Sequence, residues 1–199
     1  MSIRSLLTGQ LASLAPMALV LAACSSVPRP TASSAPGVRA EVGFTCLWWS
    51  EAQMEGLNPN APPPKNTEVK LTKWEYSDPV GVPHPDTVDV VVTLVNSVGQ
   101  TISNLEVEVA GEWKDGPLQE ATSAAWSQPA VLQLFQGVSV KPSAAQTLRV
   151  PVDFKAKMES LSKQQKWPYG LRVTVTVRVP GSSQPLAQAV AELPIKPGD

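Results

Sequence analysis

From Leu171 to Val179 the chain alternates without a break: Leu171, Val173, Val175, Val177 and Val179 are apolar, and Arg172, Thr174, Thr176 and Arg178 lie between them. Successive side chains of an extended strand point to opposite faces, so a period of two gives one dry face and one wet face. The same period recurs in Val88, Val90, Val92 and Leu94, with Asp89 and Thr93 opposite, and in Leu105, Val107 and Val109, with Glu106 and Glu108 opposite. A chain holding several such segments must pair them into sheets that each bury one face.

The other apolar runs fit this frame. Val69 to Tyr76 alternates only in part, as an edge strand does, and Asn96 to Gln100 turns the chain between two strands. A second turn is expected at Asp115-Gly116-Pro117, after which an irregular stretch leads to Val131 to Val140, read as one strand or a pair of very short ones. Leu148 to Phe154 is a further strand, and Pro151, which has no N–H for a ladder, assigns it to an unpaired edge or a bulge. Phe154, Met158 and Leu161 then recur at helical spacing in a segment without Gly or Pro, predicting one short amphipathic helix that Trp167-Pro168 ends. The last strand runs from Leu186 to Ile195. The 20 prolines sit between the apolar runs, which suits short strands joined by irregular turns.

These segments predict an all-β fold, an antiparallel sandwich of about seven strands with one short helix between the fifth and sixth. The series Leu161, Tyr169, Leu171, Val173, Val175 resembles the approach to strand F in fibronectin type III domains. Gly137 to Pro142, followed by the strand Thr147 to Phe154, resembles their D to E passage. The resemblance implies an immunoglobulin-like β-sandwich, and it implies no activity.

The N-terminus carries an address. Arg4 is the only charged residue before position 24, and the apolar, Ala/Leu-rich run from Leu11 to Ala23 is too short to span a membrane. It reads as a secretory signal peptide. Leu21-Ala22-Ala23-Cys24 resembles a bacterial lipobox. That resemblance implies a mature chain beginning at Cys24, with a diacylglyceryl thioether on its sulfur and an acyl group on its nitrogen. Two or more acyl chains give a stable anchor. Ser25, where an Asp would favour the inner membrane, points to the outer membrane, facing the periplasm. The expected organisation is a signal peptide over 1–23, a Ser/Pro/Ala tether over 24–40, an aromatic arm with a Pro-rich connector over 41–66 and the sandwich over 67–199.

No chemistry stands out in the remaining residues. A formal net charge of −1 offers nothing to attract nucleic acid. The sole histidine, His84, stands between Pro83 and Pro85 and reads as a solvent-loop residue. The chain has no nucleophile-elbow, paired-cysteine, zinc-protease or phosphate-loop motif, and Glu106 with Glu108 reads as a solvated strand face. The sequence thus nominates no catalytic residue, no metal ligand and no cofactor. Cys46 has no intramolecular partner once Cys24 is acylated, so it is either a buried reduced thiol or the site of an intermolecular disulfide.

Tryptophan is the conspicuous surplus: Trp48, Trp49, Trp74, Trp113, Trp126 and Trp167. Two or three belong in a sandwich core. Trp48 and Trp49 are adjacent and in a strand cannot both enter one core, so one of them is expected outside. The block Phe44, Cys46, Trp48 and Trp49 is therefore the candidate partner-binding surface. The functional expectation is a non-catalytic, lipid-anchored envelope protein that docks a partner protein as a structural or adaptor subunit. The alternative is a binder of carbohydrate or peptidoglycan through exposed Trp faces.

Overall fold

The computed structural model describes residues 33–34, 37–48, 67–75, 86–118 and 120–196. The described strands are β1 (Ser33–Ser34), β2 (Val38–Trp48), β3 (Thr67–Leu71), β4 (Trp74–Glu75), β5 (Thr87–Asn96), β6 (Ile102–Pro117), β7 (Ala125–Trp126), β8 (Ala130–Val140), β9 (Ala145–Asp153), β10 (Lys166–Arg178) and β11 (Ala187–Lys196). The one described α-helix, α1 (Phe154–Ser162), lies between β9 and β10. The strands form two sheets. The smaller has four strands in the order β3-β2-β5-β9. The larger has seven, with β1-β11-β10-β6 in sequence, β7 and β8 both against β6, and β4 against β11. Every pairing is antiparallel except that of β4 with β11.

The alternating residues decide which faces meet. Val88, Val90, Val92 and Leu94 of β5, with Phe44 of β2 and Val150 of β9, bury against Leu105, Val107 and Val109 of β6 and Leu171, Val173, Val175 and Val177 of β10. Both sheets thus supply one continuous core. Their opposite faces carry the charges, and the register sets the glutamates of β6 against the arginines of β10. Glu106 lies opposite Arg178 and Glu112 opposite Arg172 on adjacent antiparallel strands.

β8 holds to the core through bulges. Its partly buried residues Leu132, Phe135 and Val138 recur every third position, because the β6 register slips between Val138 and Phe135 and again between Gln133 and Val131. Each slip adds a residue to β8. The first falls at Gly137, whose φ of +67° suits a residue without a Cβ. At the other end of the strand, Leu132 fills the space that Gly111 of β6 leaves open, where an added Cβ would lie 2.9 Å from its side chain.

Several expectations need correction. The packed β-domain begins at or before Val38, not at Thr67, because β2 lies between β3 and β5 and is hydrogen-bonded to both. Val38 and Ala40, assigned to the tether, are buried strand residues, and Ser33-Ser34 pairs with Ala187 and Gln188 of β11. Asp115-Gly116-Pro117 does not turn the chain; it continues β6 beside Lys166, Trp167 and Pro168 of β10. Trp167-Pro168 accordingly lies inside β10. Pro151 does lie on an edge strand, since among the described residues β9 pairs with β5 alone. The stretch 1–32, which includes Cys24 and the lipobox, lies outside the described residues.

Candidate functional site

Two ends of the fold differ in chemistry. At one end Val38 lies opposite Asn96, and Asn96 donates from Nδ2 to the carbonyls of Gln100 (2.8 Å) and Val140 (2.9 Å). The chain thus enters β2 beside the β5–β6 and β8–β9 turns. At the other end Thr87 lies opposite Asp153, which caps α1 by accepting a hydrogen bond from the Ala156 N–H at 2.8 Å. β2 joins the two ends. Its eleven residues span about 35 Å at roughly 3.3 Å per residue, and it finishes at Trp48, at the α1 end.

The α1 end is aromatic. Phe154 is buried at the start of the helix, with its ring centroid 4.9 Å from that of Trp74 and 5.1 Å from that of Trp113, the latter edge-on. Lys157 of α1 lies over Trp113 at 5.4 Å. Trp126 on β7 is covered by the Arg172 guanidinium at 4.1 Å. Arg172 is held in turn by Glu192 at 2.7 Å and Glu112 at 3.2 Å. Partial burial by itself lowers the pKa of this guanidinium; hydrogen bonds and charges from the two glutamates outweigh that and raise it. Tyr169, at the bulge between Pro168 and Gly170, donates its hydroxyl hydrogen to the Pro117 carbonyl at 2.6 Å.

The predicted docking block divides. Phe44 (3 % exposed) and Cys46 (2 %) face the core, so neither is available to a partner, which corrects their assignment to a docking surface. Cys46 is a free, buried thiol. Burial, and then the negative charge of Asp89, push its pKa up. That is the state of a small hydrophobe, not of a reactive cysteine. Leu47, on the opposite face of β2, is 56 % exposed and lines a shallow depression of about 240 Å³ with Asp86, Thr87 and Asp89. The Trp48 side chain and all of Trp49 lie outside the described residues, as does His84.

The signal for β2 was present. Val38, Ala40, Val42, Phe44 and Cys46 alternate with Arg39, Glu41, Gly43 and Thr45. Small residues at Ala40 and Gly43 soften that contrast.

Among the described residues, Trp74 is buried and Trp113, Trp126 and Trp167 are partly buried, and the rings of Trp113 and Trp126 are met by cations. Trp74 is thus a core residue, and Trp113 and Trp126 each pack a ring against a cation. Glu106 and Glu108 lie on the solvent side of β6, and Glu108 lies 3.9 Å from Arg178. No group of three or more His, Cys, Asp or Glu side chains converges as a metal site among the described residues. No described helix is long and apolar enough to cross a membrane.

No protein-family model matches the chain, and no curated protein matches its sequence. Solved structures give distant likenesses. One is the alkylpurine DNA glycosylase AlkC of Pseudomonas fluorescens bound to DNA, with a TM-score of 0.34 and 17% identity over 56% of this chain and 26% of that one. A β-glucosidase from Listeria innocua in complex with glucose gives a TM-score of 0.37 and 12% identity over 80% and 16%. The sporulation control protein Spo0M of Bacillus subtilis gives 0.33 and 11% over 63% and 46%. The chain thus spans less than half the length of each of these structures, and likenesses this distant carry nothing about its activity.

Proposed function

We propose that this chain is a non-catalytic, lipid-anchored protein of the outer membrane, acting in the periplasm as a structural or adaptor subunit that docks a partner protein. Cys24 is the acylated residue in this reading, and the sandwich is of the immunoglobulin type. The strand order supports that type, since β2, β5 and β9 take the places of strands A, B and E, and β6, β10 and β11 those of C, F and G.

The observation that carries the reading is the course of β2. It starts on the Asn96 side, where the N-terminal chain arrives, and finishes at Trp48 on the α1 side. An anchor at Cys24 therefore leaves the α1 end, with Leu47, on the far side of the fold from the start of β2. Docking there keeps the partner clear of the tether.

Two measurements test the parts separately. Cys24→Ser should abolish metabolic labelling by a fatty-acid analogue and release the chain from the membrane fraction; intact labelling in that variant sinks the anchor. A photo-crosslinking residue at Leu47 should give one stoichiometric protein adduct in cells, and the same residue at Gly99, in the exposed β5–β6 turn at the opposite end, should not. Equal adducts from both positions, or retention on murein without a protein adduct, overturn the docking assignment.

A further inference from the structure

The edge of a sheet carries unpaired N–H and C=O groups that template another strand, and proteins blunt such edges with charge, proline, shortness, bulges or a covering element. The other margins of these sheets are each blunted in at least one of those ways. β3 has five residues, two of them Glu68 and Lys70. β9 carries Arg149, Pro151 and Asp153. β1, β4 and β7 have two residues each.

β8 differs. It is eleven residues long, pairs among the described residues only with β6 and contains neither a charge nor a proline from Ala130 to Val140. Its bulges are its sole protection among the described residues. Val131 is 62 % exposed and Leu134 40 % exposed on it, so the free edge is bordered by apolar side chains.

We propose that β8 pairs antiparallel with β8 of a second copy of this chain, about a two-fold axis near Leu134, so that the larger sheets of two copies join. The absence of charge selects this occupant. A charged strand would set its side chains against Val131 and Leu134, whereas an identical strand opposes no like charges and brings Leu134 beside its own counterpart. The neighbouring strand agrees with this: Glu108, directly opposite Leu134 on β6, lies beside Arg178 and presents no lone negative charge to the second copy. An isologous contact of this kind is closed, leaving no β8 edge to recruit a third chain. The pairing uses neither the anchor nor the α1 end, so it stands or falls apart from the docking reading.

The test is sedimentation equilibrium of the full chain in a mild detergent, at less than one chain per micelle, with Cys24→Ser as an unanchored control giving the same result. The wild type should be dimeric. Leu134→Lys sets two like charges across the axis and should raise the dimer dissociation constant at least tenfold while leaving the melting curve in place, because the side chain is already partly in solvent. A monomeric wild type overturns the proposal, and so does a dimer indifferent to Leu134→Lys. Should that variant fail to melt cooperatively, Leu134→Cys gives a separate reading. Mild oxidation should link it into a dimer while the parent chain, with Cys46 buried, forms none, and absence of the link overturns the proposal.

Discussion

Asn96 is enclosed at the turn end, and its side chain is fully engaged. Nδ2 donates to Gln100 and Val140, and Oδ1 accepts from the Val98 N–H at 2.9 Å. The backbone of the same residue binds Ser143 and Ala144. One side chain therefore fastens the β5–β6 turn to the β8–β9 turn. Asn96→Ala leaves a buried carbonyl and an N–H without partners, which should cost about 2 to 4 kcal/mol, read as a lowered urea midpoint with an unchanged slope. Cys46 makes a different prediction. Its folded pKa is raised, so the unfolded chain releases the thiol proton first as pH rises. The stability tied to the neutral thiol is present below the ordinary thiol value and falls as pH climbs through it toward the folded value. Between about pH 8 and about pH 10, the wild type should lose more stability than Cys46→Ala, and the difference between their denaturation midpoints measures this. A constant difference across that range would refute it.

At the scale of elements, two glycines separate backbone demand from open space. Gly137 holds a φ of +67° at a bulge, whereas Gly43 in β2 has no atom within 4 Å of an added Cβ and no left-handed backbone. Gly137→Ala should destabilise by about 1 to 2 kcal/mol, and Gly43→Ala should stabilise by roughly 0.5 to 1 kcal/mol. Thermal melts of the two variants should move in opposite directions. The contrast also explains what was legible in the chain. β5 keeps a strict period of two between β2 and β9, and so do β10 from Leu171 and β6 from Leu105 to Val109, which share an unbroken register with each other, so their inward residues can be named from sequence. β8 shows a period of three because its bulges reset the alternation, and the residue that does so, Gly137, also reads as a turn signal. Asp115-Gly116-Pro117 has turn composition, yet Lys166, Trp167 and Pro168 hold it in the sheet. The long-range partner overrides the local preference there.

For the whole molecule, the question is where the folding unit begins, and the two answers make opposite predictions. Composition separates Ser/Pro/Ala-rich residues and an aromatic arm from a regular domain starting at Thr67, and a chain cut there would keep most of the two sheets. The topology says otherwise. β2 stands between β3 and β5, and Val38, Ala40, Phe44 and Cys46 are all buried by it. Removing it uncovers the flank of β5 beside it and strands β3, which among the described residues pairs with β2 alone. At about 1.5 to 3 kcal/mol for each large apolar side chain returned to water, the loss of Val38 and Phe44, together with the β5 flank newly wetted, approaches the total stability of roughly 5 to 15 kcal/mol of an ordinary domain. The residues from Thr67 to Asp199 should therefore show no cooperative melt by circular dichroism and a collapsed range of amide proton shifts, while those from Ser33 to Asp199 should melt in one transition. A cooperative melt of the shorter fragment at the same temperature as the longer one would mean that β2 is an appendage and that the docking surface assigned beside it belongs to a separate arm.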